Sequence, residues 1–517
     1  MVDRLLDATQ PTGEEPPPDE TSLTGHALAK AITWAGASNG VSQIAWFGSL
    51  IVLGALLPPQ SFGSVAIGLV IANAAMLFQD AGSRGSIIVA KQLRAAEIRR
   101  TIILNVGAGL GLALALGLLA GPIINNFAAG GDPQVLRIIV LSVAVRALAI
   151  APVAILQRTM RFKQIAIALA GSTLIAAIAS IVAGALGAGV WALVIRQFVA
   201  SALFAGFAWL LAYDILRLEL RKRARGRGQV RRKSAPWFFL LATAYFVSLN
   251  IDYIIVGHAR NARDLGLYSL AYMFAFAPLT QFTWQIGRVL FPAAAAAPDL
   301  ETIRRRTLQI IRFCSLVLLP LLPPAIVLAP VIFPLVLGSE WNRMVLPFQI
   351  LLIAGVGHGI VTPIGESLSG SGHIAFHARL FLAWSLAMAG ALFVLVNADG
   401  IRGAAIAHLA LFGPLAAGYV YWGGRRLGLE TTRLARALRG IAIAVATQAL
   451  TTALMTIGLR RLGLDATIAS CSGAFGGVLV AAFLLWRSEA SLLSELRTAL
   501  GGALRKSSLS SEDPATA

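Results

Sequence analysis

The sequence predicts an all-α polytopic membrane protein. Three observations carry that expectation. Of 517 residues, 57% are hydrophobic and only 13% charged, whereas a soluble globular chain carries about 25% charged residues; the mean hydropathy is +0.76. Many stretches reach the roughly 20 apolar residues that span a hydrocarbon core about 30 Å thick. The alternating strands of about 10 residues that mark a membrane β-barrel are absent.

In chain order, residues 1–26 are polar, with Pro16, Pro17 and Pro18 among acids such as Asp3, Glu14 and Glu20. This reads as a disordered cytoplasmic tail, and it lacks the basic start and short apolar core of a signal peptide. About fourteen spans follow, at roughly 31–57, 64–88, 101–127, 135–157, 164–187, 190–213, 236–257, 266–291, 310–337, 344–370, 379–398, 401–424, 440–459 and 466–486. The basic segment 214–235 divides them, six before and eight after. It reads as a cytoplasmic linker held to anionic lipid, at about 1 kcal/mol per basic residue near the surface. The organisation predicted is therefore 27–213, linker 214–235, 236–424, two peripheral helices within 425–486, and a cytoplasmic tail 487–517. Prolines 320, 323, 324, 330 and 334 predict a bent ninth span.

The formal charge of +19 follows the positive-inside pattern rather than nucleic-acid binding. Basic residues crowd alternate loops, from Lys91–Arg100 through Arg304–Arg306 to Arg425–Arg439, and both termini are expected in the cytoplasm. Cys314 and Cys471 lie in apolar runs with no metal or disulfide spacing. No phosphate loop, H-E-x-x-H or G-x-S-x-G occurs, and the outer loops are short. A transporter driven by something other than ATP is expected, not an enzyme.

Gly54 and Gly63 bracket one outer turn with the same nine-residue spacing as Gly257 and Gly266 around another. Arg84 follows Gly63 by 21 residues and Arg288 follows Gly266 by 22. This is a weak internal repeat, a recurrent plan in transporters. Polar residues three or four apart share a helix face: Ser38 with Ser42; Asn73, Asp80 and Arg84; Tyr245, Ser248 and Asp252; Gln281, Gln285 and Arg288; His358, Thr362 and Glu366. Such faces should line the bundle interior, because lipid cannot satisfy them. The last two spans carry much less of this and read as peripheral.

The candidate substrate-binding residues are Arg84, Arg146, Arg196 and Arg288, a staggered positive path for an anionic headgroup, since guanidinium binds phosphate bidentately and stays charged. Arg84 has an alternative partner in Asp80 at i,i+4. Arg312 reads as snorkelling to the interface. Asp252 and Glu366 are candidates for ion coupling by a proton or sodium ion; Asp252 could equally only pair with Tyr245 or an arginine. His358 reads as an interior hydrogen-bonder.

The runs N-I-D-Y-I-I-V-G (250–257), D-L-G-L-Y-S-L-A-Y (264–272), Q-I-G-R-V-L-F-P (285–292) and A-P-V-I-F-P-L-V-L-G-S-E-W (329–341), with L-L-P-P-Q-S-F-G (56–63) and L-F-Q-D-A-G (77–82), resemble polysaccharide-biosynthesis exporters. These are Wzx-type flippases of the multidrug/oligosaccharidyl-lipid/polysaccharide exporter superfamily. The likeness covers roughly 30–430 and fades beyond. It implies two six-helix lobes around a central cavity plus two C-terminal helices, in the cell inner membrane. It implies passage of a polyprenyl-diphosphate-linked glycan (lipopolysaccharide, O-antigen or exopolysaccharide unit) between leaflets by ion-coupled alternating access, without a cofactor. A polysaccharide polymerase or glycosyltransferases would be its partners. Asp252 and Arg288 fall in matching motif segments; Arg146, Arg196 and Glu366 rest on burial cost alone. The competing readings are a multidrug cation antiporter of the same superfamily, whose site should be acidic and aromatic, and a membrane polysaccharide polymerase or ligase.

Overall fold

The computed structural model describes residues 40–80, 95–128, 130–159, 161–221, 235–295 and 297–489. The described chain runs α1 (Gly40–Leu56), α2 (Pro59–Asp80), α3 (Ala95–Leu118), α4 (Ala120–Phe127), α5 (Pro133–Ala147), α6 (Ile150–Arg158), α7 (Phe162–Ala185) and α8 (Trp191–Arg221). It continues through α9 (Ala235–Ala259), α10 (Ala262–Ala275), α11 (Ala277–Ala295), α12 (Leu300–Leu318), α13 (Leu322–Leu337), α14 (Val345–Gly370), α15 (Ile374–Ala417), α16 (Thr431–Arg461) and α17 (Ala466–Ser488). Ten of the helical runs among the described residues are long and apolar enough to cross a membrane, and each predicted span overlaps a helix. The N-terminal tail, the C-terminal tail beyond Glu489 and most of the basic linker lie outside the described residues.

Proline explains where single predicted spans become two helices. Pro122, Pro152 and Pro278 each stand within the first turn of a new helix, α4, α6 and α11. A proline offers no N–H to the preceding turn, so the ladder stops and restarts there. The bend expected in the ninth span is a 3-10 turn, Leu319–Leu321, between α12 and α13. Spans eleven and twelve form one continuous helical run folded at Asp399 and Gly400, where Gly400 takes φ 59°.

The molecule has the inverted polarity of a membrane protein. Leu118, Leu210 and Trp486 are largely exposed on the outside, while Asp252, His377, His408 and Gln448 are buried. Exposed aromatics Trp486, Tyr421 and Trp422 sit at the end carrying the basic loops, the place of an interfacial aromatic belt.

The repeated glycines meet one another. A Cβ on Gly63 would lie 1.9 Å from the carbonyl oxygen of Ala262, and one on Gly266 would lie 1.7 Å from that of Pro59. Each glycine therefore faces the carbonyl four residues before its counterpart, the reciprocal pattern of a two-fold contact. The flanking pair also has matched neighbours, though not its nearest ones: a Cβ on Gly54 would lie 3.5 Å from the side chain of Leu270, and one on Gly257 would lie 3.0 Å from that of Ile67, each four residues beyond the opposite crossing glycine. Only glycine lets α2 and α10 cross backbone to backbone here. Nearby, Trp341 of the 329–341 motif is fully buried against Phe62 of the 56–63 motif, with ring centroids 5.4 Å apart. The two halves are thus pinned together at the end away from the basic loops.

The last two helices, expected to be peripheral, pack on each other through polar and small residues. Gln448, Thr452 and Thr456 form a buried polar stripe on α16, and Gly473 and Gly477 of α17 receive it; a Cβ on Gly477 would lie 1.9 Å from Thr452 Oγ1. Small residues let two membrane helices approach closely. Gln448 Nε2 also donates to Pro320 O at 3.0 Å, tying α16 to the bend of the ninth span.

Candidate functional site

Asp252 lies in α9, and the hairpin to α10 decides its surroundings. Asn261 caps α10 by accepting from the Asp264 N–H at 2.9 Å, which fixes the register of the two antiparallel helices. Tyr268 then reaches back, and its hydroxyl donates to Asp252 Oδ2 at 2.7 Å. The Tyr253 N–H donates to Oδ1 at 2.9 Å. His408, on the far half of α15, places Nε2 3.5 Å from Oδ2. Asp252, Tyr268 and His408 are all essentially inaccessible. A carboxylate held away from water needs such donors, since an unpaired buried charge is very costly.

Aromatic rings wall the cluster. Tyr253 packs edge-on to both Tyr268 and Tyr272, Tyr272 stacks on Phe276 at 5.0 Å, and Phe276 contacts both His408 and His358. Both ring nitrogens of His408, Nε2 of His358 and the Tyr272 hydroxyl have no hydrogen-bond partner among the described residues. Tyr272, His358 and His408 line a cavity of about 40 Å³, together with Tyr245, Ser248 and Thr362. That is room for at least one water, which needs about 10–15 Å³ on this measure. The interior-hydrogen-bonder reading of His358 is therefore corrected at Nε2: the ring packs between Trp384 and Phe276 and leaves that nitrogen unused.

Among the described residues Asp252 thus bonds to Tyr268 and lies 3.5 Å from His408, not against Tyr245 or an arginine. The sequence reading missed Tyr268, Tyr272 and His408. Tyr268 and Tyr272 stand inside the quoted 264–272 motif but look like ordinary aromatic core. His408 carries the same signal as His358, an ionisable ring inside an apolar span, and could have been found by it.

Glu366 is half-buried on α14 and packs against α11, where a Cβ on Gly287 would lie 3.0 Å from its Cδ. It acts electrostatically on Tyr245 and Tyr419 and belongs to the basic side of the same interior. Arg288 is the next residue along α11; its backbone is helical and its side chain lies outside the described set, as does all of Arg84. Arg312 does not simply snorkel. It donates to Glu489 Oε2 at 2.5 Å, joining α12 to the end of α17.

In the first half, Arg196 enters from α8 and is half-buried. Its guanidinium donates to Ser49 Oγ at 3.2 Å and lies 5.5 Å from the Trp46 ring, both on α1. Arg146, on α5, lies over the Phe204 ring of α8 at 4.7 Å. Among the described residues Arg196 is held by a hydroxyl and a π-face and meets no carboxylate. Among the described residues no three His, Cys, Asp or Glu converge to hold a metal ion.

Residues 52–346 match the family model described as polysaccharide biosynthesis protein. Lipopolysaccharide biosynthesis protein WzxC of Escherichia coli (strain K12) is 26% identical over 340 residues, covering 62% of this chain and 65% of that protein. The chain thus spans just under two thirds of that relative. Succinoglycan biosynthesis transport protein ExoT of Rhizobium meliloti (strain 1021) is 22% identical over 348 residues, covering 66% of this chain and 69% of that one. Among solved structures, the lipid II flippase MurJ in an inward closed conformation superimposes with a TM-score of 0.63 at 14% identity, covering 87% of this chain and 99% of that chain. The likeness to MurJ concerns the fold.

Proposed function

The chain belongs to the polysaccharide biosynthesis protein family, and from that membership we propose that it flips a polyprenyl-diphosphate-linked oligosaccharide from the inner to the outer leaflet of the cytoplasmic membrane. The units in question are those of lipopolysaccharide, O-antigen or exopolysaccharide, in keeping with the names of its relatives. The observation that carries the reading is the opposite polarity of the two interiors. Arg196 presents a cation partnered by neutral groups, while Asp252 presents an anion enclosed by tyrosines and histidine. Arg196, with Arg146 and the sequence-placed Arg84 and Arg288, holds the diphosphate, and the lipid tail stays in the bilayer.

Transport is coupled to a cation at Asp252, with Glu366 as a further acid on its path. A proton fits this environment better than sodium, because the carboxylate oxygens are met by the Tyr268 O–H and Tyr253 N–H donors, with His408 Nε2 3.5 Å away, rather than by the oxygen acceptors a sodium ion needs. Both termini face the cytoplasm, no catalytic step is involved, and a polysaccharide polymerase and glycosyltransferases act before and after it. An acidic, aromatic interior is also what a drug–cation antiporter requires, but Arg196, which donates to a serine hydroxyl and lies against a ring face, favours an anionic cargo.

The test is a deletion strain. Lipid-linked oligosaccharide should accumulate in the inner leaflet, protected from externally added probes, and the wild-type gene should clear it. Accumulation of single units already in the outer leaflet would instead make the protein a polymerase, and drug sensitivity with normal glycan would make it an antiporter.

A further inference from the structure

We propose a second lipid site, distinct from the interior path: a binding site for a phosphate-bearing lipid headgroup at the basic end of the molecule, in the cleft between α12, α16 and the end of α17. The cleft has a volume of about 640 Å³ and is lined by Arg312, Arg436, Arg439, Ile443, Ser488 and Glu489.

The sequence builds it by helical spacing. Arg436, Arg439, Gly440 and Ile443 fall at i, i+3, i+4 and i+7, one face of α16. Gly440 keeps that face low enough for α17 to end against it, since a Cβ there would lie 3.0 Å from Glu489 Oε1 and 3.5 Å from Ser488. Arg312 closes the third side. Its ion pair with the buried Glu489 anchors the guanidinium, and its Nε is buried with no hydrogen-bond partner among the described residues.

The charge count favours an anion. Three arginines meet one carboxylate, and that carboxylate is already committed to Arg312. Arg436 donates only a long bond, 3.4 Å, to its own helix at Thr432 O. Among the described residues neither Arg436 nor Arg439 is paired with a carboxylate, in contrast to Arg433, which holds Glu430 at 3.1 Å. Two exposed guanidiniums, held beside the anchored Arg312, offer forked N–H donors to the acceptor oxygens of a phosphate.

Depth favours a lipid over a soluble phosphate. Trp486, exposed on α17 one turn before Glu489, marks the headgroup level. Above the arginines the same helices turn apolar and exposed, with Ile443, Leu450 and Leu454 on α16 and Phe475, Leu479 and Phe483 on α17. A molecule with a phosphate below and acyl or prenyl chains above matches that sequence of surfaces. The chemistry is shared by an anionic phospholipid and by a polyprenyl diphosphate. The site stands whether or not the transported cargo is as proposed above.

The full chain, purified in an uncharged detergent, is titrated with mixed micelles carrying phosphatidylglycerol, undecaprenyl diphosphate or phosphatidylcholine, and its thermal midpoint is followed. Phosphatidylglycerol, undecaprenyl diphosphate or both should raise the midpoint, and phosphatidylcholine should not; the responding lipid identifies the source. In Arg436→Gln/Arg439→Gln the apparent affinity should fall on the order of thirtyfold, as for two surface cations. The charge-matched Arg99→Gln/Arg100→Gln, at the basic end of α3, should respond as wild type. Arg312→Gln/Glu489→Gln removes the anchor without stranding a buried acid, and should weaken binding too. An equal response to phosphatidylcholine, or an unchanged response in Arg436→Gln/Arg439→Gln, overturns the site.

Discussion

Replacing Gly63 with alanine tests whether the glycine crossing of α2 and α10 is a gate or a permanent seam. The new Cβ would sit 1.9 Å from the Ala262 carbonyl oxygen, where real Cβ contacts essentially never fall below 3.0 Å. The obstacle is backbone, not a flexible side chain, so the helices must part by roughly 1 Å. Overpacking of this kind costs about 1–3 kcal/mol. If the crossing opens during transport, that strain acts only on the closed form and shifts the population toward the opened one by about 5- to 150-fold. Spin labels at Ala185→Cys and Ala398→Cys read the separation. Both sites are exposed, lie at the end away from the basic loops, and belong to different halves; Cys471→Ser removes the exposed native thiol. Gly63→Ala should move the distance distribution to longer values, and Gly266→Ala, with its 1.7 Å approach, should do the same. The pair should be non-additive, since both act on one contact. A lowered thermal midpoint with an unchanged distribution would refute the gate and leave a seam.

Three further outcomes are expected. Asp252→Asn keeps an oxygen for the Tyr268 hydroxyl, so the protein should fold, yet glycan export should fall about tenfold or more and lose its dependence on external pH; export at the wild-type rate across pH 6–8 would remove the coupling role. Arg196→Ala should cost export about ten- to 150-fold, the worth of one charge-assisted hydrogen bond to phosphate, about 1.5–3 kcal/mol, and Ser49→Asp should cost as much by neutralising the guanidinium; intact export in both would end the arginine path. At the helix starts, Asp299 and Asp465 accept from the Thr302 and Thr467 N–H groups, and those bonds hold both carboxyls below their ordinary value of 3.8. A depressed carboxylate contributes stability above its unfolded pKa and loses it as pH falls through the lower folded value. Asp299→Ala and Asp465→Ala should therefore lower the thermal midpoint at pH 7, and the difference from wild type should shrink below about pH 4.

How much of this could be read from the chain differs by residue. The spans were legible because lipid demands long apolar runs, and Gly63 and Gly266 were visible because a shared spacing survives when side chains diverge. What they do was not visible, since two helices meeting backbone to backbone leave no side-chain signature. Asp252 and Arg196 stood out by the cost of charge in an apolar run. Their partners did not: Ser49, Tyr268 and His408 come from other traverses, and nothing local selects one serine or tyrosine over its neighbours. The stripe Gln448, Thr452 and Thr456 was underweighted because its complement, Gly473 and Gly477, presents only an absence of side chain.

The repeat gives these partners a common logic. The sequence offset that relates Gly54 to Gly257 and Gly63 to Gly266 also relates Ser49 to Asp252. Across from them, Arg196 follows the left-handed Gly189 by seven residues and His408 follows the left-handed Gly400 by eight. Each half therefore joins its first and sixth traverses by one polar contact at comparable depth. The first half has a hydroxyl against a guanidinium, and the second a carboxylate against an imidazole. The two halves thus carry opposite polarity at matching places, a guanidinium in one and a carboxylate in the other. The link between them runs through α10, which carries both Tyr268, the donor to Asp252, and Gly266, the crossing to α2. A change at Asp252 that weakens the Tyr268 bond would act on the very helix that holds the halves together. If that is how the ion reaches the gate, Asp252→Asn and Gly63→Ala should shift the label distances in the same direction, and the double variant should shift them by less than the sum. A strictly additive response would place the ion site and the crossing in separate, uncoupled parts of the protein.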